Sequence, residues 1–205
     1  MSEPWLERWR EGRIGWHEPG GNANLRAHWT GSSGRVLVPL CGKTIDLLWL
    51  EDRGHDVVGV ELSPIAARAF FDENRIGFSI RDGRMTEFVA SDRRISIHCG
   101  DLFEFDDAPF DACFDRAALV ALPPELRPAY ARKIDELLSP AATRLVITVE
   151  YDQDIVAGPP YSVDATEVLG YWPQLEEVAR HEDIANSPPK FRDAGLASMH
   201  EVAWR

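Results

Sequence analysis

Short apolar runs alternate with segments of helical periodicity through the middle of the chain. The runs have the length of strands that are covered on both faces of a sheet, and they occupy residues 36–40, 57–60, 110–115 and 144–149. Apolar residues at helical spacing fill the intervals, over residues 44–53, from Ser63 onwards, and over residues 124–138. This alternation predicts an α/β fold with a doubly wound, mostly parallel sheet and right-handed crossovers.

The amino-terminal segment departs from this rhythm. Residues 1–30 are rich in tryptophan, and Trp5 and Trp9 have the spacing of one helix face. After the glycines that follow, Asn22 or Asn24 is placed to cap a second short helix. We therefore expect residues 1–30 to form a short helical lid on the sheet.

Two further regions predict antiparallel pairing. Residues 84–90 and 94–98 flank a polar turn and predict a small hairpin at the periphery of the sheet. Residues 174–181 and 198–204 predict an antiparallel pair at a sheet edge. The whole chain, residues 1–205, is expected to form one domain.

Composition and charge narrow the class of protein. The chain has 205 residues, of which 44% are hydrophobic and 27% charged, as in an ordinary globular protein. It contains no apolar run that could span a bilayer, and its start lacks the form of a signal peptide, so we expect a cytoplasmic protein without a membrane partner. The formal net charge of −12 argues against a nucleic-acid partner and favours a small-molecule substrate.

Cysteine and histidine usage argues against disulfides and metal. The three cysteines, Cys41, Cys99 and Cys113, are odd in number and lie in or beside predicted strands, which favours burial as thiols. The six histidines have no spacing that would hold a metal ion. No metal cofactor is predicted.

The segment from Val36 to Glu61 carries the main indication of function. An apolar strand ends in Cys41-Gly42-Lys43, and the next strand ends in Glu61, nineteen residues past Gly42. An acidic side chain at this position accepts hydrogen bonds from both hydroxyls of a ribose. The glycine-rich loop that a pyrophosphate needs is missing. The pattern indicates a ribose-bearing ligand without phosphates, such as S-adenosylmethionine, while a pair of buried strands with a merely solvated glutamate stays open.

Two other predicted strand ends carry candidate binding residues. Asp101 and Leu102 suit an adenine ring, because an acceptor lies beside an apolar side chain; an ordinary loop carboxylate is the alternative. Arg116 follows Asp115 and precedes an apolar stretch. Its guanidinium can attract an anionic substrate group or the methionine carboxylate, and the alternative is a local ion pair with Asp115.

Several motifs together resemble the thiopurine S-methyltransferases, especially the bacterial ones. The resemblance spans nearly the whole chain, and its most specific part is Pro39-Leu40-Cys41-Gly42-Lys43 in place of a glycine-rich loop. The other matching segments are Trp5-x-x-x-Trp9, Gly15-Trp16-His17-Glu18, Arg53-Gly54-His55, Val58-Gly59-Val60-Glu61, residues 115–121, Tyr151-Asp152-Gln153 and Gly158-Pro159-Pro160. The chain is thus similar to class I S-adenosylmethionine-dependent methyltransferases, which implies a Rossmann-like sheet with an antiparallel carboxyl-terminal edge.

The resemblance also implies an activity and a set of site residues. It implies methyl transfer to the sulfur of aromatic or heterocyclic thiols of the thiopurine type, by a monomer. Arg116 is our candidate for the catalytic residue, because a guanidinium near the sulfur favours the thiolate. The implied cofactor-binding residues are Trp9, Leu40, Glu61, Asp101, Leu102 and Arg116. Trp16 matches an aromatic position near the substrate that is commonly Phe, so the larger ring is expected to narrow the acceptor pocket.

Three alternatives to this activity stay open. The acceptor can instead be a selenium or tellurium species or another small molecule, and the chain can be a non-catalytic S-adenosylmethionine-binding protein. A nicotinamide-dependent dehydrogenase shares the fold type only, and the missing glycine fingerprint argues against it.

Overall fold

The computed structural model describes residues 3–205 and contains one nine-stranded sheet with helices on both faces. The strands are β1 Arg35–Pro39, β2 Asp56–Glu61, β3 Phe78–Arg81, β4 Thr86–Ala90, β5 Ile95–Cys99, β6 Phe110–Asp115, β7 Leu138–Glu150, β8 Glu177–Glu182 and β9 His200–Trp204. The helices are α1 Glu3–Arg10, α2 Ala23–His28, α3 Asp46–Glu51, α4 Pro64–Glu73, α5 Ala118–Ala121, α6 Arg127–Leu137, α7 Ala165–Tyr171 and α8 Pro189–Asp193.

The strand order is β3-β4-β5-β2-β1-β6-β7-β9-β8. The five strands from β5 to β7 pair in parallel, whereas β3, β4, β8 and β9 pair antiparallel at the two edges. The predicted doubly wound, mostly parallel sheet is therefore confirmed, as is the antiparallel pair at the carboxyl-terminal edge.

Both faces of the sheet are buried, as the apolar runs predict. In β1, Val36 and Val38 pack into one hydrophobic cluster with Phe70 of α4, and Leu37 packs into the opposite cluster with Ile134 of α6. Because successive strand residues point to opposite faces, this alternation shows that β1 is covered on both sides. Within residues 3–205 no helix is long and apolar enough to cross a membrane.

The predicted peripheral hairpin is half right. Its strands β4 and β5 do pair antiparallel, but β5 also pairs in parallel with β2 in the interior of the sheet. Ile95 and Ile97 of β5 are buried, whereas the preceding Arg93 and Arg94 are exposed. The sequence did not indicate that β5 is a central strand, because exposed arginines precede it and only Ile95 and Ile97 are buried apolar residues.

Candidate active site

The turn that follows β1 is shaped by two residues with positive φ. Leu40 has φ +49° and Gly42 has φ +55°, a conformation that is uncommon for residues other than glycine. A side chain added at Gly42 would lie 3.3 Å from the Trp9 ring. The turn therefore brings the Gly42 amide close to the end of β2, and Trp9 of α1 packs against it.

Glu61 at the end of β2 is held by backbone amides. Its Oε2 accepts a hydrogen bond of 2.8 Å from the Gly42 N–H, and its Oε1 accepts one of 2.8 Å from the Ser63 N–H. The side chain is buried, and this burial raises the pKa of Glu61 while the amide hydrogen bonds oppose the shift. Each carboxylate oxygen has a second acceptor site, so Glu61 is fixed in orientation and still able to accept from a ligand hydroxyl.

Three tryptophans of the amino-terminal segment form one group, which we call the tryptophan cluster. Trp16 meets Trp5 and Trp9 edge-to-face, with ring centroids 5.1 and 6.0 Å apart. Trp5 and Trp9 lie on α1 at the spacing that the sequence predicts. Trp9 is buried and Trp16 half-buried, so the cluster covers the turn after β1 with aromatic surface.

Arg116, directly after β6, connects the sheet to the amino-terminal segment. Its Nη1 donates a hydrogen bond of 2.7 Å to the Trp16 carbonyl oxygen, and its Nη2 donates to the Glu18 carboxylate. Residues 16–24, which we call the strap, are thereby tied to the carboxyl ends of the strands. Both Nη atoms of Arg116 therefore have partners in the strap, and neither partner is Asp115.

Asp115 has partners of its own, so the local ion pair considered from the sequence is wrong. Its carboxylate is buried and accepts hydrogen bonds from the Tyr130 hydroxyl at 2.6 Å and the Ala118 N–H at 3.1 Å. Burial raises the pKa of Asp115 to about 6. Asp115 thus braces the start of α5 against α6 and leaves the Arg116 guanidinium to the strap.

A cavity of about 920 Å³ lies between the strand ends and the strap. Five of the seven sequence-predicted site residues line it, namely Trp9, Trp16, Leu40, Glu61 and Arg116. Its volume is at the upper end of the range of small-molecule sites, roughly 300–1,000 Å³. The cavity is lined by α1, the strap, the turn after β1, the ends of β2, β6, β7 and β9, and the start of α8.

Asp101 and Leu102 do not line this cavity. Asp101 is exposed, and its Oδ1 accepts a hydrogen bond from the Phe103 N–H at 3.0 Å as the cap of a 3₁₀ turn, Leu102–Glu104. Leu102 is buried in the hydrophobic core. The Gly100 N–H donates to the Glu61 carbonyl oxygen, so the segment follows β5 beside Glu61. Contacts of Asp101 and Leu102 with adenine stay a prediction.

Sequence reasoning gave no individual role to several polar residues around the cavity. Glu18 binds Arg116, and Glu201 of β9 lines the cavity and accepts a hydrogen bond of 2.7 Å from the Asn24 side chain. The available signal for Glu201 was a charged residue directly before the apolar run of residues 202–204, and this signal alone identifies no partner. Among the described residues, no three His, Cys, Asp or Glu side chains form a metal-binding group.

Comparisons with known proteins agree with this geometry. A family model described as thiopurine S-methyltransferase matches residues 1–205. The chain is 42% identical over 214 residues to the thiopurine S-methyltransferase of Bordetella petrii, covering 100% of this chain and 97% of that one. It is also 42% identical over 211 residues to the enzyme of the same name from Xanthomonas euvesicatoria pv. vesicatoria, covering 98% of this chain and 96% of that one.

Similar solved structures identify the fold class. One similar structure is the 1,6-didemethyltoxoflavin-N1-methyltransferase of Burkholderia thailandensis, solved with 1,6-didemethyltoxoflavin and S-adenosylhomocysteine. Its TM-score is 0.62 at 19% identity, over 100% of this chain and 86% of that one. The fold is that of class I methyltransferases, and the cofactor is S-adenosyl-L-methionine. The chain therefore belongs to the thiopurine S-methyltransferase family.

Proposed function

We propose that this S-adenosyl-L-methionine-dependent methyltransferase transfers the methyl group to the sulfur of aromatic or heterocyclic thiols. The observation that carries the proposal is the juxtaposition, in one cavity, of Glu61, the tryptophan cluster and Arg116. Glu61 suits a ribose, the aromatic walls suit a flat ring, and the guanidinium suits an anionic sulfur. Family membership supports the same chemistry.

The described residues fit the cofactor. Trp9, Leu40, Glu61 and Arg116 are proposed to hold it, with Asp101 and Leu102 beside its adenine. Glu61 has free acceptor capacity and an orientation fixed by the Gly42 and Ser63 amides. When bound, S-adenosyl-L-methionine supplies a methyl group activated on a positively charged sulfur.

Arg116 is proposed as the catalytic residue at the acceptor. An ordinary thiol has a pKa of about 8.5, and a guanidinium close to the sulfur favours the thiolate, which is the nucleophilic form. Arginine stays protonated at every physiological pH. A general base is therefore not required for an acidic heterocyclic thiol, and orientation of the acceptor accounts for most of the expected acceleration.

Walls of aromatic and proline side chains are proposed to orient the acceptor ring. Trp16, Pro159 and Pro160 line the cavity together with the aliphatic Val149. These side chains present flat, apolar surface with few rotatable bonds, so they restrict a planar ring at small entropic cost. The other residues of the strap and of the tryptophan cluster border the same cavity and are proposed to limit the access of water, which strengthens the interaction between Arg116 and an anion.

The experiment is the formation of S-adenosylhomocysteine from S-adenosyl-L-methionine with 6-mercaptopurine, beside an aliphatic thiol and a control without acceptor. The proposal expects product with 6-mercaptopurine, little with the aliphatic thiol and none without acceptor. Mass spectrometry of the S-methylated purine identifies the acceptor atom. Absence of product with 6-mercaptopurine, from a protein that binds S-adenosylhomocysteine, would contradict the thiol acceptor.

A second candidate is a selenium or tellurium oxyanion as acceptor. Arg8 and Lys190 favour it, because both line the cavity and, among the side chains that the structure describes from residue 4 onwards, neither has a carboxylate within ion-pair distance. Lys190 Nζ donates instead to the carbonyl oxygens of Ala157 and Pro159. Selenite added to the same assay discriminates the two acceptors, since S-adenosylhomocysteine and methaneselenonate, the product of methyl transfer to the selenium lone pair, form only if the oxyanion enters the cavity.

We further propose that the enzyme is a cytoplasmic monomer that acts on a small molecule without a nucleic-acid or membrane partner, and that residues 1–205 are one domain. The net charge of −12 supports the absence of a nucleic-acid partner. Three free thiols, Cys41, Cys99 and Cys113, support a reducing compartment.

A further inference from the structure

The strap is held by buried asparagines as well as by Arg116. Asn22 and Asn24 are 2% and 3% exposed, although asparagine is mostly a surface residue. Buried amides of this kind are retained where every donor and acceptor has a partner. The partners of these two side chains therefore indicate what the strap is built to do.

Asn22 is the residue at which the strap's contacts converge. Its Oδ1 accepts from the Leu25 N–H at 3.2 Å, which caps α2. Its Nδ2 lies between two carboxylates, 3.3 Å from Glu18 Oε2 and 3.5 Å from Glu201 Oε2. Its backbone N–H donates to Asp46 Oδ1 at 2.9 Å. One residue thus joins the strap to α2, α3 and β9.

The charges around Asn22 explain why an amide lies there. Glu18, Asp46 and Glu201 bring three carboxylates to its side chain and backbone, and Arg116 forms an ion pair with Glu18. Burial raises the pKa of both Asp46 and Glu201. An amide donates to carboxylates without adding charge, whereas a carboxylate at the same position would repel all of them.

The backbone before Asn22 packs closely against the start of α3 when the strap is in place. Gly21 has φ +70°, and a Cβ built on it would lie 2.4 Å from Asp46 Oδ1. The strap therefore passes in direct contact with the start of α3. A shift of Asn22 moves Glu18, and a shift of Glu18 releases the guanidinium that ties the strap to the strand ends.

We propose that Asn22 is a positioning residue for cofactor binding, which acts through Glu18 to hold Arg116 and the Trp16 carbonyl over the cavity. The inference rests on the proposed roles of the cavity and Arg116, and it does not depend on the identity of the acceptor. Asn24 supports the same arrangement through its hydrogen bond of 2.7 Å to Glu201.

The test uses two substitutions that keep the helix cap. Aspartate and serine both cap helices about as well as asparagine, so Asn22→Asp and Asn22→Ser leave α2 its first hydrogen bond. Asn22→Asp adds repulsion from Glu18, Glu201 and Asp46, and Asn22→Ser removes the amide donor without adding charge. Asn74→Ala is the matched control, because it removes an asparagine hydrogen bond, to the Phe70 carbonyl oxygen, away from the cavity.

The readouts are the affinity for S-adenosylhomocysteine by calorimetry and amide hydrogen exchange of the ligand-free protein. We expect affinity to fall about tenfold for Asn22→Asp and about threefold for Asn22→Ser, because hydrogen bonds to charged groups are lost. Exchange should accelerate within residues 16–24 and stay unchanged in β1 and β6. Asn74→Ala should alter neither readout in this region.

A double-mutant cycle with Glu18→Gln distinguishes positioning from general stability. If Asn22 acts through Glu18, the effect of Asn22→Ser on affinity is smaller in the Glu18→Gln background than in the wild type. Equal effects in both backgrounds, or exchange that accelerates across β1 and β6 as well, would overturn the proposal. A protein that fails to methylate 6-mercaptopurine still yields both readouts, so the two proposals fail separately.

Discussion

The turn after β1 and the strap border the same cavity but are stabilised in different ways. In the turn, a backbone amide of Gly42 binds a carboxylate nineteen residues away, at Glu61, and both groups are buried. In the strap, side chains reach across 98 residues from Arg116 to Glu18 and 177 from Glu201 to Asn24. The turn is a local structure, whereas the strap depends on contacts between segments that are far apart in the chain.

This difference implies different dynamics. Breaking the hydrogen bonds between a buried carboxylate and backbone amides costs much free energy, because the carboxylate is then left unpaired and poorly solvated. Arg116 and Glu18 are half-buried, at 24% and 36% side-chain exposure, and partly exposed ion pairs contribute little. We expect the turn to be preformed in the ligand-free enzyme and the strap to open locally to admit ligands.

Glu61→Ala tests the preformed turn and has the largest expected effect. The substitution removes the acceptor for Gly42 and Ser63 and the proposed acceptor for the ribose. We expect the dissociation constant of S-adenosylhomocysteine to rise about a hundredfold, equivalent to about 3 kcal/mol. Calorimetry measures it, with Glu87→Ala, a carboxylate of β4 outside the cavity, as control. Affinity within about twofold of wild type would remove Glu61 from the ribose site.

Arg116→Ala tests whether the strap is held from the strand ends. The substitution removes both donors to the strap and the proposed cation at the acceptor sulfur. We expect kcat with 6-mercaptopurine to fall roughly thirtyfold, about 2 kcal/mol, with partial recovery in Arg116→Lys. The melting temperature should change by only a few degrees. An unchanged kcat accompanied by a large loss of stability would assign Arg116 to the fold alone.

Gly42→Ala tests whether the turn after β1 is as closely packed and rigid as the comparison with the strap requires. With φ +55° at this position and the Trp9 ring 3.3 Å from the added Cβ, we expect a loss of about 1–2 kcal/mol in the free energy of unfolding. Urea denaturation measures it. Gly170→Ala is the control, because its Cβ meets nothing within 4 Å inside α7 and should be neutral or stabilising. Equal behaviour of the two variants would argue against a strained, closely packed turn.

Trp16→Phe has the smallest expected effect and tests whether the indole ring of Trp16 limits the size of the acceptor. Phenylalanine keeps an aromatic face toward Trp5 and Trp9 but removes one ring. We expect kcat/KM to rise about threefold for bulkier aryl thiols, because the acceptor end of the cavity widens, and to stay near wild type for 6-mercaptopurine. Trp49→Phe, which lies outside the cavity lining, controls for the loss of an indole. A uniform change for all acceptors would contradict a role of Trp16 in acceptor size.

How well the sequence predicted each region follows from the range of the contacts. The turn and Glu61 lie within one strand–helix–strand unit, whose pattern is local, and the sequence placed both correctly. Asn22, one of the two residues considered as the cap of α2, was readable for the same reason. These features depend on residues close together in the chain, where spacing carries information.

Long-range contacts were not readable in this way. The partners of Arg116 lie in the strap, and Asp115, its neighbour in sequence, binds Tyr130 instead. Glu201 reaches the cavity because β9 pairs antiparallel with β7, a register that no local pattern specifies. The predicted adenine residues Asp101 and Leu102 follow β5, but one is exposed and the other lies in the core.

The most direct test of the central claim is a crystal structure of the enzyme with S-adenosylhomocysteine and 6-mercaptopurine. The claim is that the cavity between the turn and the strap is the site of methyl transfer. We predict ribose hydroxyls within hydrogen-bond distance of the Glu61 carboxylate, the purine against Trp16, and the purine sulfur facing Arg116. Ribose bound away from Glu61, or a purine outside this cavity, would contradict the account.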